Sequence, residues 1–367
     1  MSERAGRTAT LRTPLCDQLG IEVPIMQAGM GGVAYGRLAA AVTNAGGLGS
    51  IGGIDITPAE LEEEVRLFRE LSDGPLCVDL GFPANAPKGL ADVTVPDLPG
   101  PLQRLKAELA EHGVEVVPTH DQAISVADNK EKLEISLRHG AEIIACALGT
   151  PTWVVEECHA HGATVMSIVG LAKHARSAIR NGTDVVIVQG TEGGGHTGDV
   201  GLITLLAEVL EIATVPVVAA GGLARGAQIA ACLAMGAQGA WVGTRFLATR
   251  ESQAESGFKD AVVEAGHDST LRSPIFDGLH VRQLRNRFTD VWDDQWDLLS
   301  PYPVQRVLTA PFRFAAARAD LKDFMNLPAG AGSGMINDLP GAGDLLGRLV
   351  EETVEALRAI PRDIKFD

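Results

Sequence analysis

Residues 189–198, "QGTEGGGHTG", place one carboxylate and one imidazole in a loop that is otherwise almost free of side chains. Histidine has an ordinary pKa close to neutral pH, so His196 suits the removal of a proton from an activated C–H bond. Glycine at this density costs backbone entropy, and is kept where a ligand or another chain segment must come close to the main chain. Glu192 reads as an anchor for the turn, its carboxylate lying near several backbone N–H groups, and not as a reacting group.

Two further glycine pairs point to an anion. Gly221 and Gly222 in "AAGG", and Gly243 with Thr244 in "VGTRF", each follow a short apolar run. Backbone N–H groups in such turns cradle a phosphate without needing a positive side chain, and Thr244 adds a hydroxyl. Arg245 next to them is suited equally to neutralising phosphate or to pairing with an acid. No Walker A motif occurs, and no GxGxxG follows a strand with an acid suitably spaced after it. His159 and His161 in "CHAHG" lack the acid or thiol cluster that a metal would need, and they read as surface residues. His120, followed by Asp121, reads as a cap region. Trp292 and Trp296 read as packing residues.

These motifs require elements to hold them. Short apolar runs at 23–27, 48–51, 76–80, 142–147, 163–169, 184–188, 215–219 and 239–243 read as strands. Helix-length segments lie between most of them, at 58–71, 121–138, 151–160, 171–180, 202–212 and 225–235. Thr57-Pro58 and Thr150-Pro151 supply helix-start signals. Eight strands alternating with helices predict a (β/α)8 TIM barrel, with a doubly wound open sheet as the alternative. Residues 114–120 form a further strand-like run inside a Pro/Gly-rich excursion at about 83–120. The barrel then spans 1–250, a mainly helical insertion spans 251–330, and 331–367 return as a glycine-rich turn and a helix. The insertion caps one end of the barrel, forms a homodimer contact, or does both.

Composition narrows the function classes. The chain of 367 residues is 46% hydrophobic and carries a formal charge of −16, which argues against nucleic acid and anionic membranes as partners. No charge-free apolar stretch is long enough to span a bilayer, and the N-terminus has no signal-peptide core. Five scattered cysteines read as reduced, buried thiols, giving the expectation of a cytoplasmic protein with no metal site.

The segments "PIMQAGMGG…AVTNAGGLGSIGG" (24–53), "VVIVQGTEGGGHTG" (185–198) and "PVVAAGGLARGAQIAACLAMGAQGAWVGTRFLATRES" (216–252) resemble the nitronate monooxygenase family, formerly called 2-nitropropane dioxygenases. The likeness extends over roughly residues 11–252, with a weaker echo in "AGSGMINDLPGAGDLL". Members are FMN-dependent barrels, and their relatives include enoyl-thioester reductases and acyl-CoA-oxidising flavoenzymes. The resemblance implies that Gln27, Ala28, Gly29 and Met30 lie beside the flavin ring. It puts Gln189, Gly194 and Gly195 along the ribityl chain and ring edge, and Gly221, Gly222, Gly243 and Thr244 around the phosphate. His196 takes the position of the catalytic histidine. At strand three this chain has Val78-Asp79 where the family often has an asparagine, which brings Asp79 to the flavin. The loop reads EGGGH instead of the EAGGH frequent among nitronate monooxygenases, a form similar to the acyl-CoA-oriented relatives.

The leading expectation is an FMN-dependent oxidation of small alkyl nitronates by O2 to a carbonyl compound and nitrite. The alternatives are an FMN-dependent enoyl-thioester reductase or acyl-CoA dehydrogenase, and a non-catalytic barrel that binds a phosphorylated metabolite.

Overall fold

The computed structural model describes residues 10–83, 93–117 and 126–363. Its strands in chain order are β1 (Ile25–Gln27), β2 (Gly49–Gly52), β3 (Leu76–Gly81), β4 (Ile143–Ala147), β5 (Thr164–Val169), β6 (Val185–Gln189), β7 (Gly195–His196), β8 (Val217–Ala220), β9 (Gly239–Val242), β10 (Thr270–Ser273) and β11 (Val281–Leu284). Eight of them pair in parallel in the order β1-β9-β8-β6-β5-β4-β3-β2. A parallel bridge between Met26 and Leu48 joins the two ends of that sheet, so the expected barrel is what forms and the open-sheet alternative falls. The eight runs read from the sequence correspond to these eight strands. The further strand-like run forms no strand over 114–117, and its remainder lies outside the described residues.

Side chains alternate across a strand, and here the alternation separates two cores. Met26, Cys77, Ala145, Met166, Ile187, Val218 and Trp241 pack together inside the barrel. Leu15, Cys16 and Leu19 from the short helix Pro14–Leu19 join that interior set and stop its lower end. Ile25, Val186, Val188, Val217, Ala219 and Val242 face the opposite way, under the surrounding helices. Burial on both faces explains why the strands read as unbroken apolar runs.

The helix Pro58–Leu71 starts at the expected signal, the Thr57 hydroxyl accepting the Glu60 N–H at 3.2 Å. At Thr150 the expectation fails. Pro151 occupies the cap position, and the Thr150 hydroxyl donates to Ser167 instead, at 2.7 Å. The final helix, Ala342–Asp363, packs on Gly226–Met235 and Gly36–Asn44, completing the outer ring between the last and first strands.

The segment between β9 and that final helix contains the helices Ser256–Glu264 and Val304–Arg318. It also contains an antiparallel hairpin, β10 with β11, which the sequence reading did not include. Trp292 is fully buried in the insertion core, as a packing residue should be, whereas Trp296 is exposed. All five cysteines are buried and none forms a disulfide. Among the described residues no helix is long and apolar enough to cross a membrane.

Candidate active site

Parallel barrels bind ligands at the carboxyl ends of their strands, where the βα loops meet. Here those loops enclose a cavity of about 710 Å³. It is lined by Ala28, Gly29 and Met30 after β1, Asp79 on β3, Gln189 and Gly193–Thr197 after β6, Ala220–Ala224 after β8, and Gly243–Arg245 after β9.

The parity of each strand decides which residues reach it. Gln189 continues the inward series Val185, Ile187, and Asp79 continues the inward position of Cys77. Gln27 follows Ile25, which faces outward, and this corrects one sequence expectation: Gln27 does not line the cavity. Its amide is fully buried and used internally, Nε2 donating to the carbonyl of Ser50 and Oε1 accepting the Ser50 N–H at 3.0 Å. The other expected residues, from Ala28 to Thr244, all contribute to the wall.

The glycines keep the loops in backbone contact. A Cβ on Gly194 would come within 2.8 Å of the carbonyl carbon of Ala329 and the nitrogen of Gly330. Gly221 and Gly222 have φ of 109° and 70°, a region that L side chains rarely adopt. The segment Gly330–Gly332 closes over them, and the Thr244 hydroxyl accepts the Gly330 N–H at 2.9 Å. Among the described residues, the N–H groups of Gly222 and Leu223 donate to nothing within the chain. Arg245 is nearly buried at the same end, and it pairs with Asp338 at 3.0 Å.

His196 is held from both sides. Gln189 Nε2 donates to its carbonyl at 3.0 Å, and β7 pairs with β11 of the inserted hairpin, with His196 opposite Val281. Arginines of the hairpin clamp the loop further, Arg282 donating to the Thr191 carbonyl at 2.9 Å and Arg272 to the Thr197 hydroxyl at 3.0 Å. Glu192 accepts the Leu202 N–H at the start of helix Leu202–Leu210, which is the anchoring role expected of it.

The imidazole Nε2 lies 2.7 Å from Oδ2 of Asp277, a fully buried carboxylate on the hairpin loop. Burial alone would raise this carboxyl. The charge and hydrogen bond of His196, the Leu279 N–H and the charge of Arg306 outweigh burial and hold it below the usual carboxylate range. An ionised Asp277 can only accept, so the shared proton belongs to Nε2, and Nδ1 carries the lone pair of the neutral ring. Sequence reasoning missed Asp277, which is 81 positions from its partner. Its signal was the Asp277-Gly278 pair between two short strands, a frequent hairpin marker, with Gly278 at φ 92°.

Asp79 is the opposite case. It is 4% exposed, its Oδ1 has no hydrogen-bond partner among the described residues, and burial pushes its carboxyl well above the usual range. Farther around the rim, Arg306 pairs with Asp55 at 2.7 Å and lies over the Phe276 ring. His159 bonds Asp184 and His161 lies beside Glu157, both on the surface, and no metal-binding cluster occurs among the described residues. His120 lies outside the described residues.

The family model for nitronate monooxygenase matches residues 12–352. Nitroalkane oxidase from Streptomyces ansochromogenes superposes with a TM-score of 0.79 at 33% identity, covering 95% of this chain and all of that one. FabK from Thermotoga maritima superposes with a TM-score of 0.78 at 26% identity, covering 97% of this chain and all of that one. In sequence, the Mycobacterium tuberculosis (3aS,4S,5R,7aS)-5-hydroxy-7a-methyl-1-oxo-octahydro-1H-indene-4-carboxyl-CoA dehydrogenase is 34% identical over 283 residues, 76% of this chain and 68% of that protein. A parallel barrel with glycine loops and His196 at its mouth, matched along nearly its whole length, belongs to the nitronate monooxygenase family of flavin-dependent oxidoreductases.

Proposed function

We propose that the chain is an FMN-dependent oxidoreductase acting on small alkyl nitronates, which it oxidises with O2 to a carbonyl compound and nitrite. The observation that carries this reading is the His196–Asp277 pair at the wall of the strand-end cavity. The cavity residues fit FMN. The free N–H groups of Gly222 and Leu223, with Gly243, Thr244 and Arg245, would hold the phosphate. Ala28, Gly29, Met30, Asp79, Gln189, Gly194 and Gly195 would line the ribityl chain and ring. When bound, FMN supplies the electron-accepting chemistry, and the protein supplies position and electrostatics.

A nitronate arrives already deprotonated, whereas a neutral nitroalkane must lose a proton first. Nδ1 of His196 is the group suited to take it. Asp277 fixes the ring's tautomer and orientation and steadies the positive charge gained with that proton, the logic of a base oriented by a carboxylate. Phe276, whose ring centroid is 6.2 Å from that of His196, and Ile168 give this wall an apolar surface that excludes water from the transferred proton.

A second reading, oxidation or reduction of an acyl thioester, is supported by the cavity's extent. It continues past the loops to Leu148–Thr150 and to His174, Ser177 and Asn181, room beyond a small alkyl chain. The similarity to a CoA-ester dehydrogenase supports the same reading.

The deciding experiment is the visible spectrum of FMN-saturated protein before and after anaerobic addition of an alkyl nitronate. Loss of the flavin bands is expected. Bands that persist with nitronate but bleach with an acyl-CoA would move the assignment to thioesters. A protein that retains no FMN would contradict both readings.

A further inference from the structure

Asp79 is a buried acid that the mechanism above does not use. On β3, Val78 and Leu80 face the helices, while Cys77 and Asp79 face the barrel interior, with Asp79 at the strand end beneath the cavity. Gly29 presses on it from the loop after β1, so closely that a Cβ there would fall 2.3 Å from the Cβ of Asp79. Gly53, after β2, donates its N–H to the Asp79 carbonyl, and Ala145 of β4 is its ladder partner. The thiols that sense its charge are Cys77, on the same inward side of β3, and Cys146, on the outward side of β4, both pushed up by burial and therefore neutral. Among the described residues no cation is found acting on this carboxyl, and burial is what raises it. A bare carboxylate in such a place costs far more than keeping a proton.

Resting on the FMN reading, we propose that Asp79 is held as a neutral carboxylic acid and serves as a fixed hydrogen-bond donor to the acceptor-rich edge of the flavin ring. A protonated carboxyl offers one donor and one acceptor on adjacent atoms, as a carboxamide does. The carboxyl, which lines the cavity, then has a hydrogen-bond partner in the bound cofactor, and the site avoids a negative charge beside a ring that must accept electrons. The wall residue is thereby a cofactor-positioning group and not an acid–base catalyst.

The test is infrared difference spectroscopy on the apoprotein and the FMN-loaded protein, wild type against Asp79→Asn, together with FMN titrations across pH. The wild-type apoprotein should show a protonated-carboxyl C=O band at neutral pH that is missing from Asp79→Asn and shifts when FMN binds. FMN affinity in Asp79→Asn should stay within about threefold of wild type at pH 7, since the amide replaces the donor. At alkaline pH the wild type should lose affinity relative to Asp79→Asn. Absence of the band, with carboxylate absorption in its place, overturns the proposal, as does a band that bound FMN leaves unmoved. Failure of the wild type to bind FMN overturns the flavin reading and the donor role with it, whereas failure of Asp79→Asn alone overturns the donor role, and the apoprotein band tells either failure apart from a wrong protonation state.

Discussion

Two buried aspartates near one cavity are pushed in opposite directions by their surroundings. Asp79 belongs to the barrel wall, with Gly29 pressed against it, and burial pushes its carboxyl well above the usual range. Asp277 belongs to the insertion and is also buried, yet its carboxyl is held below the usual range, because His196, the Leu279 N–H and Arg306 supply positive charge and donors. Burial sets the cost of a charge; the partners decide whether the cost is met. The barrel contributes a pre-shaped wall, and the insertion contributes the carboxylate that pairs with the loop histidine.

The largest break in this comparison comes from Asp277→Asn. It removes the anion that holds the His196 tautomer, so turnover of a neutral nitroalkane should fall about tenfold to a hundredfold, with nitronate turnover nearly unchanged. Steady-state assays on both substrates, with a pH profile, check this. A smaller effect is expected where the barrel loop meets the insertion. In Gly194→Ala the added methyl meets the backbone at Ala329 and Gly330, and urea unfolding should show a loss of about 1–3 kcal/mol with weaker FMN retention.

The two acids also predict opposite pH slopes of stability. Asp79 keeps its proton in the folded chain to a higher pH than in the unfolded chain. The native state then binds more protons, and stability falls as pH rises above the usual carboxylate range. Asp79→Asn should therefore be more stable than wild type, by a margin that grows with pH. Asp277 has the reverse linkage. Its contribution is present above the ordinary carboxylate pKa and is lost as pH falls through its lowered value. The deficit of Asp277→Asn should shrink in acid. Parallel slopes for the two variants would break the comparison. The smallest effect belongs to Arg287, whose two hydrogen bonds to Glu108 tie the insertion to the excursion helix Gly100–Glu111. This pair is only partly buried, and Arg287→Ala should cost about 1 kcal/mol or less in the same unfolding assay.

The barrel was legible because each strand is buried on both faces and writes itself as a β-branched run, as Val185–Val188 does. The glycine loops were legible because close backbone packing excludes a Cβ at Gly194 and Gly332. Gln27 misled because motif likeness ignores parity: it neighbours Ala28 in sequence but points to the other side of the wall. Asp277 was hidden because β10 and β11, "TLRS" and "VRQL", alternate too weakly to stand out. Its partner is supplied by folding and not by spacing. The charge of Asp79 was likewise invisible, since it depends on what fails to surround the residue.

The most direct measurement compares His196→Asn with wild type on a neutral nitroalkane and on the corresponding preformed nitronate. If His196, oriented by Asp277, is the base, nitroalkane turnover should fall about 10²- to 10⁴-fold, while nitronate turnover falls less than about tenfold. Equal losses on both substrates would contradict it.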